Sequence, residues 1–429
     1  MSNRTEDDVE EEGEIRDMDG AGARKRKRAV LFGYSGSGFS GLQSQSGGVV
    51  HDRNYEDDND NDTTPDTVED ALHRALCLAG AISDSNRESF QKISWTRSAR
   101  TDRGVHAASQ VIAAKLEVPG EELVERGGDV SRRDEELFVA KVNANLPPTI
   151  RVFRCFRVNN TFNARYSTSG RTYGYFLPEM ALERQDGTKA SLFELRQAFQ
   201  CYVGSNVFHN YTEKLSPKDP RARRVIESFT ASEPFEFKVG ESTKRVIRLQ
   251  VKGQSFLKHH IRRMVGFAIE CLRRPSQDYS AKELIEQSLL IDKICTGAGG
   301  GMPLAPAEAL FLDVASFDLY NNTVTQLSTR KKQESDASNF RELIDFVGDA
   351  SVRRAREQLI SDIVLPAVFA SPGGAFEAFE KWIEQRNTVD FPPLFYTPNI
   401  PPILQDALEF LRCVERNRLK RLKLEEWTR

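Results

Sequence analysis

The hydrophobic positions of this chain follow two patterns, one that alternates residue by residue and one that returns every three to four residues. Alternation is typical of a strand, and the longer repeat is typical of a helix. The predicted strands are residues 29–34, 111–118 and 150–158. Helices are predicted at residues 67–81, where Thr67 and Asp70 form a capping box, and at residues 137–145. Because strands and helices mix without regular βαβ alternation, the pattern predicts an α+β fold with a mainly antiparallel sheet.

The same pattern divides the chain into four predicted regions. Residues 1–28 are predicted to be a disordered tail that ends in a basic cluster. Residues 29–160 and 161–325 each mix strands and helices, and we expect them to form an N-terminal and a C-terminal half of one unit. An acidic loop at about residues 44–66 interrupts the first half and is predicted to be disordered. Residues 326–429 are predicted to be a helical extension.

The net charge of −3 conceals a segregation of charge along the chain. Residues 1–20 carry −7 and residues 51–70 carry −8, so the remainder is +12, of which +5 lies in the cluster at residues 24–28. Positive charge on the folded part is what phosphate binding requires. Two basic segments each have two possible interpretations. The cluster at residues 24–28 is either a nuclear-localisation signal or a solvated run of charge. The last predicted helix, which begins near Pro402, either extends a nucleic-acid-binding surface or presents a solvated basic face.

Composition restricts the compartment. No apolar run approaches the roughly 18 residues that a membrane helix needs, and the acidic N-terminus is unlike a secretory signal or a transit peptide. The scattered cysteines predict reduced thiols inside a cell instead of disulfides or a zinc site; they are Cys77, Cys155, Cys201, Cys271, Cys295 and Cys413. We expect a nuclear protein without membrane association, with cytoplasm and mitochondria as alternatives.

Asp102 is the first candidate for chemistry. It stands between Arg100 and Arg103 and is followed by Gly104, which allows a sharp turn before a strand. Neighbouring positive charge keeps a carboxylate ionised, and an ionised carboxylate can act as a nucleophile. A surface turn with a local ion pair is an equally good interpretation of these residues alone.

Three further segments carry candidate binding residues. Residues 36–41 match G-x-G-x-x-G, but no helix follows to receive a pyrophosphate, so a turn that contacts backbone is the better interpretation. Tyr173 and Tyr175 share one face of a strand, where a ring can stack on a nucleobase or fill the core. Arg262 and the neighbouring Arg263 lie in the first turn of a helix, where a cation needs an anionic partner. The adjacent histidines at 259 and 260 are interpreted as structural.

These segments together resemble the tRNA pseudouridine synthases of the TruA family, most closely the eukaryotic Pus1-like branch. The resemblance covers about residues 28–322. Each segment is moderately specific by itself, but their order along the chain is the order of the family. The segments are residues 34–43, 99–107, 164–175, 253–266, 303–312 and 317–322.

The resemblance implies roles for five residues and a pseudouridine synthase fold with a central basic cleft between the two α+β halves. Asp102 matches the catalytic aspartate, which attacks the target uridine so that the base detaches, rotates and rejoins the ribose through carbon. Arg100 matches the arginine that helps to hold the flipped nucleotide, and Tyr173 matches the ring that stacks on the flipped uracil. Arg262 matches the cation that pairs with the catalytic carboxylate, and Leu310 matches the apolar wall of the pocket. No cofactor or metal is implied.

The resemblance also implies tRNA as the partner, with other RNAs left open, and a monomer is favoured. The chain departs from the family pattern at Ala309, where glycine is frequent, and at His260, where glutamine is frequent. These departures bear on pocket shape and substrate choice.

Two other functions stay open at this point. A catalytically inactive RNA-binding or chaperone protein on the same scaffold would not need Asp102. A glycosidase would need a second catalytic carboxylate, and the segments that carry the motifs offer no obvious one.

Overall fold

The fold was analysed in a computed structural model, which describes residues 25–44, 67–118, 131–239, 241–276, 279–291, 293–295, 302–331, 341–388 and 394–396. Its strands are β1 Arg26–Tyr34, β2 Thr96–Arg97, β3 His106–Leu116, β4 Ile150–Arg157, β5 Gly170–Pro178, β6 Gly204–Val207, β7 Arg223–Ala231, β8 Phe235–Val239, β9 Ser242–Gly253, β10 Lys293–Cys295, β11 Leu310–Ser316 and β12 Leu394–Tyr396.

The α-helices alternate irregularly with these strands. They are α1 Val68–Leu78, α2 Asp84–Arg87, α3 Arg132–Ala144, α4 Ala164–Ser167, α5 Leu192–Gln200, α6 His260–Arg273, α7 Ala281–Leu290, α8 Asp318–Lys331, α9 Ala350–Leu359, α10 Leu365–Phe369 and α11 Ala375–Asn387. A π-helical turn at Ile360–Val364 joins α9 to α10. None of the helices in the described residues is long and apolar enough to cross a membrane.

One ten-stranded sheet organises the described residues, with the order β4-β1-β3-β11-β5-β9-β7-β6, while β2 pairs with β3 and β8 pairs with β9. All pairs in this sheet are antiparallel except β11 with β3, which run parallel. The predicted α+β class with a mainly antiparallel sheet is therefore confirmed. Strands β4, β1, β3 and β2 come from the first predicted half and the others from the second, so the parallel pair is the junction between the two.

The predicted elements occur with shifted ends. Thr67 caps α1 and forms the predicted capping box with Asp70, although the helix ends at Leu78, three residues early. Helix α3 begins at Arg132, five residues before its predicted start, because Ser131 accepts a hydrogen bond from the Asp134 amide and caps a polar first turn. Hydrophobic periodicity could not mark that start, since the first turn has no apolar face.

Strand β1 begins at Arg26, so part of the predicted tail belongs to the sheet. The backbone of Arg28 pairs with both β3 and β4, and the side chains of Lys27 and Arg28 are buried. The Lys27 ammonium donates to the Ser94 carbonyl at 2.6 Å, and burial lowers its pKa to about 8. These two side chains are therefore not accessible to an import receptor in the folded protein. The first 24 residues and the acidic loop beyond Ser44 lie outside the described residues.

The helices after residue 340 pack into the main hydrophobic core. Val364, Val368 and Phe369 share that core with the sheet, and the Phe379 ring lies 6.1 Å from the ring of Tyr175. The predicted helical extension therefore helps to form the core on both halves of the sheet, because α11 packs on β5 and α9 packs on β4, β1 and β3. The predicted final helix near Pro402 lies outside the described residues. Cys201 and Cys271 are free thiols among the described residues.

Candidate active site

A cleft of about 840 Å³ lies at the junction of the two halves of the sheet. The parallel pair places Phe311 of β11 opposite His106 of β3, and β11 also pairs with β5, where Leu312 is opposite Tyr173. This register brings the loop before β3 next to the beginning of β11 and the middle of β5. As a result, all five residues implied by the resemblance line one cleft: Arg100, Asp102, Tyr173, Arg262 and Leu310.

The lining of the cleft is strongly basic. Its described cations are Arg97, Arg100, Arg165, Arg171, Arg224, Lys258 and Arg262. Asp102 is the only carboxylate among the described residues that line it. The cleft therefore suits a polyanionic ligand, against which the protein places a single carboxylate, that of Asp102. Its described lining has no second carboxylate, which glycoside hydrolysis would need. Arg103, the other sequence neighbour of Asp102, is exposed and does not line the cleft.

The glycine-rich turn supports the backbone of the Asp102 loop. A Cβ on Gly36 would lie 2.3 Å from the Val105 carbonyl oxygen, so only glycine allows the two segments to approach this closely. Gly41 has φ +103°, and the next residue, Leu42, donates its amide to the Thr101 carbonyl at 3.3 Å. The motif is a turn, as interpreted, and the backbone that it contacts belongs to the loop of the candidate nucleophile.

His106 ties three segments of the site together. Its Nδ1 accepts the amide of Gly36 at 3.1 Å and lies 3.1 Å from the Ser35 hydroxyl. Because the amide can only donate, Nδ1 is the acceptor, and Nε2–H donates to the Glu308 carbonyl at 3.1 Å. The ring is completely buried, and burial lowers its pKa to about 4. A neutral imidazole thus links the glycine-rich turn, the Asp102 loop and the segment before Leu310.

A buried carboxylate anchors the segment that leads to Asp102. Glu69 of α1 is completely buried and accepts the Trp95 indole N–H at 2.8 Å, the Arg97 Nε at 2.5 Å and the Ser44 amide at 3.1 Å. Burial raises the pKa of Glu69, and the positive charge of Arg97 opposes that rise. One side chain therefore joins α1, β2 and the end of the glycine-rich turn.

His259 contacts Asp102 directly, which the sequence did not predict. Its Nε2 lies 3.5 Å from Asp102 Oδ2, and its Nδ1 lies 3.1 Å from Glu213 Oε1. The backbone has φ 61°, a left-handed conformation that is uncommon outside glycine. Burial lowers the pKa of His259, and the nearby carboxylate of Asp102 opposes that effect. His259 is more than a structural histidine, because it stands between the candidate nucleophile and a second carboxylate.

Arg262 lies close to Asp102 but makes a different contact from the one predicted. Its Nε donates to the Ala305 carbonyl at 2.6 Å, while the group in ion-pair distance of Asp102 is His259. Burial lowers the pKa of Arg262, and the negative charge of Asp102 opposes that effect. The expected direct pair is thus replaced by a longer-range attraction. The sequence predicted an anionic partner for Arg262 in the first turn of α6, but its hydrogen-bond partner is a backbone carbonyl.

Tyr173 and Leu310 form the apolar side of the cleft. Tyr173 is 7% exposed, and its ring meets Phe256 edge to face with centroids 5.2 Å apart. Burial raises its pKa, Arg171 opposes the rise, and the negative charge of Asp102 adds to it. Tyr175, on the same strand face, is a core residue whose hydroxyl donates to the Pro306 carbonyl. Of the two tyrosines, only Tyr173 lines the cleft.

His260 is buried at the cleft without a hydrogen bond on either ring nitrogen. Its ring lies 4.3 Å from that of Phe208, and burial lowers its pKa to about 3, so it is neutral. His260 is therefore structural, as predicted, but it is packed as an aromatic ring without hydrogen-bond partners, whereas His259 faces Asp102.

The comparisons with known proteins agree with this geometry. Residues 198–318 match the sequence model of the family described as tRNA pseudouridine synthase, a range that includes Arg262 and Leu310. The chain is 31% identical over 306 residues to the mouse (Mus musculus) protein named pseudouridylate synthase 1 homolog. This alignment covers 69% of the chain and 62% of the mouse protein. The human (Homo sapiens) protein of the same name is 31% identical over 301 residues, or 68% of this chain and 60% of the relative.

A yeast relative is matched over more of its own length. The Saccharomyces cerevisiae protein named tRNA pseudouridine(27/28) synthase is 26% identical over 368 residues, which cover 70% of this chain and 86% of that protein. The chain spans about three fifths of the length of the two mammalian relatives. Together with the family match over residues 198–318, these similarities confirm the resemblance of the chain to the TruA-type pseudouridine synthases that the sequence motifs carry.

Proposed function

We propose that this protein isomerises uridine to pseudouridine in tRNA, with Asp102 as the nucleophile. The observation that carries the proposal is the convergence of Arg100, Asp102, Tyr173, Arg262 and Leu310 on one basic cleft, although they lie far apart in the sequence. The reaction breaks the bond from the ribose to a ring nitrogen and forms one to a ring carbon, so no atom is gained or lost. It therefore needs a placed carboxylate and a held base.

Each side of the cleft supplies part of what this reaction requires. Asp102 has a side chain that is 40% exposed, so a ribonucleotide can reach the carboxylate. Tyr173 is fixed on a strand of the sheet and offers a ring for the uracil, while Leu310 supplies an apolar wall. Arg100 is exposed at the cleft and can hold the phosphate of a flipped nucleotide. Extruding a base costs a few kcal/mol, which stacking, at roughly 1–3 kcal/mol per base, and phosphate contacts offset.

The test is the formation of pseudouridine on transcribed tRNA by the full chain and its Asp102→Asn variant. We expect the variant to lose turnover while it still binds tRNA, because the amide keeps the shape of the carboxylate but is a poor nucleophile. Asp186→Asn is the matched control, since Asp186 is exposed and lies outside the cleft. Activity retained by Asp102→Asn would refute the mechanism, and a wild-type protein that binds tRNA without turnover would indicate an inactive scaffold.

A further inference from the structure

Tyr166 exposes its ring at the cleft although no role is assigned to it by the resemblance. It is 77% exposed and still belongs to the lining of the cleft. A tyrosine ring that is exposed to water lacks the stabilising free energy that burial of its apolar face would contribute. Beside a basic cleft, such a ring is a surface on which an unpaired base can stack.

The backbone that carries this ring is held in place before any ligand binds. The Asn163 side chain accepts the amides of Arg165 at 3.0 Å and Tyr166 at 3.3 Å. The Ala164 amide donates to the Thr96 hydroxyl of β2 at 3.1 Å, which ties α4 to the sheet. Because the turn is already ordered, stacking on Tyr166 would cost little further backbone entropy.

A positive charge lies against the ring. The Arg165 guanidinium lies 5.6 Å from the centroid of the Tyr166 ring, on its face. Burial lowers the pKa of Arg171, and repulsion from the charge of Arg165 adds to that effect. A phosphate between these two arginines would relieve the repulsion. The patch therefore combines a stacking surface with an unsatisfied demand for negative charge.

A second, smaller cavity continues the cleft on this side. It measures about 310 Å³ and shares Trp95, Thr96 and Asn163 with the cleft. Its other described lining residues include neutral polar side chains such as Gln91 and Asn160. A polynucleotide strand that leaves the cleft past Tyr166 can therefore continue into this smaller cavity.

We infer that Tyr166 and Arg165 form a stacking subsite for an unpaired base that neighbours the target nucleotide in the RNA strand. The base lies on the Tyr166 ring, its phosphate pairs with Arg165, and the strand continues towards the smaller cavity. This subsite rests on the proposed function, because RNA must occupy the cleft. Every base has a π face, so the subsite selects for an unpaired nucleotide and not for its identity.

The test measures RNA affinity by fluorescence anisotropy for the full-length wild type and for Tyr166→Ala, Tyr166→Phe and Phe193→Ala. The probes are a tRNA transcript, a single-stranded oligoribonucleotide and a blunt RNA duplex. For Tyr166→Ala we expect the Kd of tRNA and single strand to rise about 5- to 100-fold, with the duplex changed less than about twofold. Tyr166→Phe keeps the ring and should bind like the wild type. Phe193 is 67% exposed on α5, outside the cleft, and controls for removal of an exposed ring.

Three results would overturn the subsite. These are tRNA affinity of Tyr166→Ala within about twofold of wild type, equal losses on single strand and duplex, and an equal loss in Tyr166→Phe. The ratio of the Kd values of Tyr166→Ala and wild type is measured without turnover. It can therefore be interpreted even if Asp102→Asn retains activity and the proposed mechanism is refuted. A wild type that binds none of the three RNAs would overturn both the subsite and the proposed substrate.

Discussion

Replacing His106 with phenylalanine should uncouple the three segments that hold Asp102. Phenylalanine keeps the ring volume but removes the acceptor for the Gly36 amide and the donor to the Glu308 carbonyl, both at 3.1 Å in the wild type. Each buried backbone group left without a partner costs about 1–3 kcal/mol. At neutral pH we therefore expect His106→Phe to lower the free energy of unfolding by roughly 2–5 kcal/mol.

The pH dependence of this loss is the sharper part of the prediction. Burial lowers the pKa of His106 from 6.5 to about 4, so the unfolded chain takes up this proton first as the pH falls. The contribution of His106 is thus complete above pH 6.5 and is lost as the pH falls towards 4. At about 1.36 kcal/mol per unit, the difference between wild type and His106→Phe should shrink by about 2 kcal/mol between pH 7.5 and pH 5.

Urea unfolding at these two pH values measures the effect. The other histidines whose pKa burial lowers, His73, His259 and His260, are present in both proteins, so their titration cancels in the difference. Ser35→Ala is the control, because it removes one hydroxyl beside the same nitrogen and leaves the titrating ring in place. It should cost about 1 kcal/mol with a much weaker pH dependence. A gap between wild type and His106→Phe that does not change with pH would refute the reasoning.

Three further substitutions probe the support of the site. His259→Asn, whose residue type tolerates the left-handed backbone, should lower the single-turnover rate at saturating tRNA about tenfold or more with little change in Kd, because Asp102 loses its 3.5 Å contact. Gly36→Ala should lower the same rate by at least about tenfold, since its Cβ would lie 2.3 Å from a carbonyl of the Asp102 loop. Glu69→Ala should lower the free energy of unfolding by about 3–5 kcal/mol in urea, because it leaves a guanidinium and an indole N–H without their acceptor.

Matched controls separate these effects from general damage. Gly170→Ala places a Cβ at 3.7 Å from its nearest neighbour, an ordinary contact, so its rate should resemble that of the wild type. Glu377→Ala removes an exposed ion pair with Lys381 and should lower the free energy of unfolding much less than Glu69→Ala does. Equal effects in a variant and its control would contradict the corresponding prediction. For His259→Asn, an unchanged rate would show that Asp102 does not depend on this contact.

The candidate site was predicted well where local motifs carry it and poorly where packing decides. The residues that line the cleft include all five that the resemblance implied, because each lies inside a recognisable segment. His259 was missed as a partner of Asp102, since its orientation depends on a left-handed backbone that no periodicity reveals. Glu69 gave no signal either: it is an acidic residue in the first turn of a helix, a position where exposed carboxylates are common. Its burial follows only from tertiary contacts, among them those with Trp95 and Arg97.

The chain by itself determined the element types, the capping box at Thr67, the α+β class and the location of Asp102 in a turn before a strand. These features depend on local interactions between residues close in sequence. Only the tertiary structure decided that β11 lies parallel to β3, which sets Leu310 and Tyr173 beside the Asp102 loop. It also decided that the basic Lys27 and Arg28 enter the sheet and that His259, not Arg262, contacts the carboxylate. The pairing of distant strands and the burial of charged side chains depend on the packing of the whole core. Neither can therefore be predicted from a pattern of residues that are close in sequence.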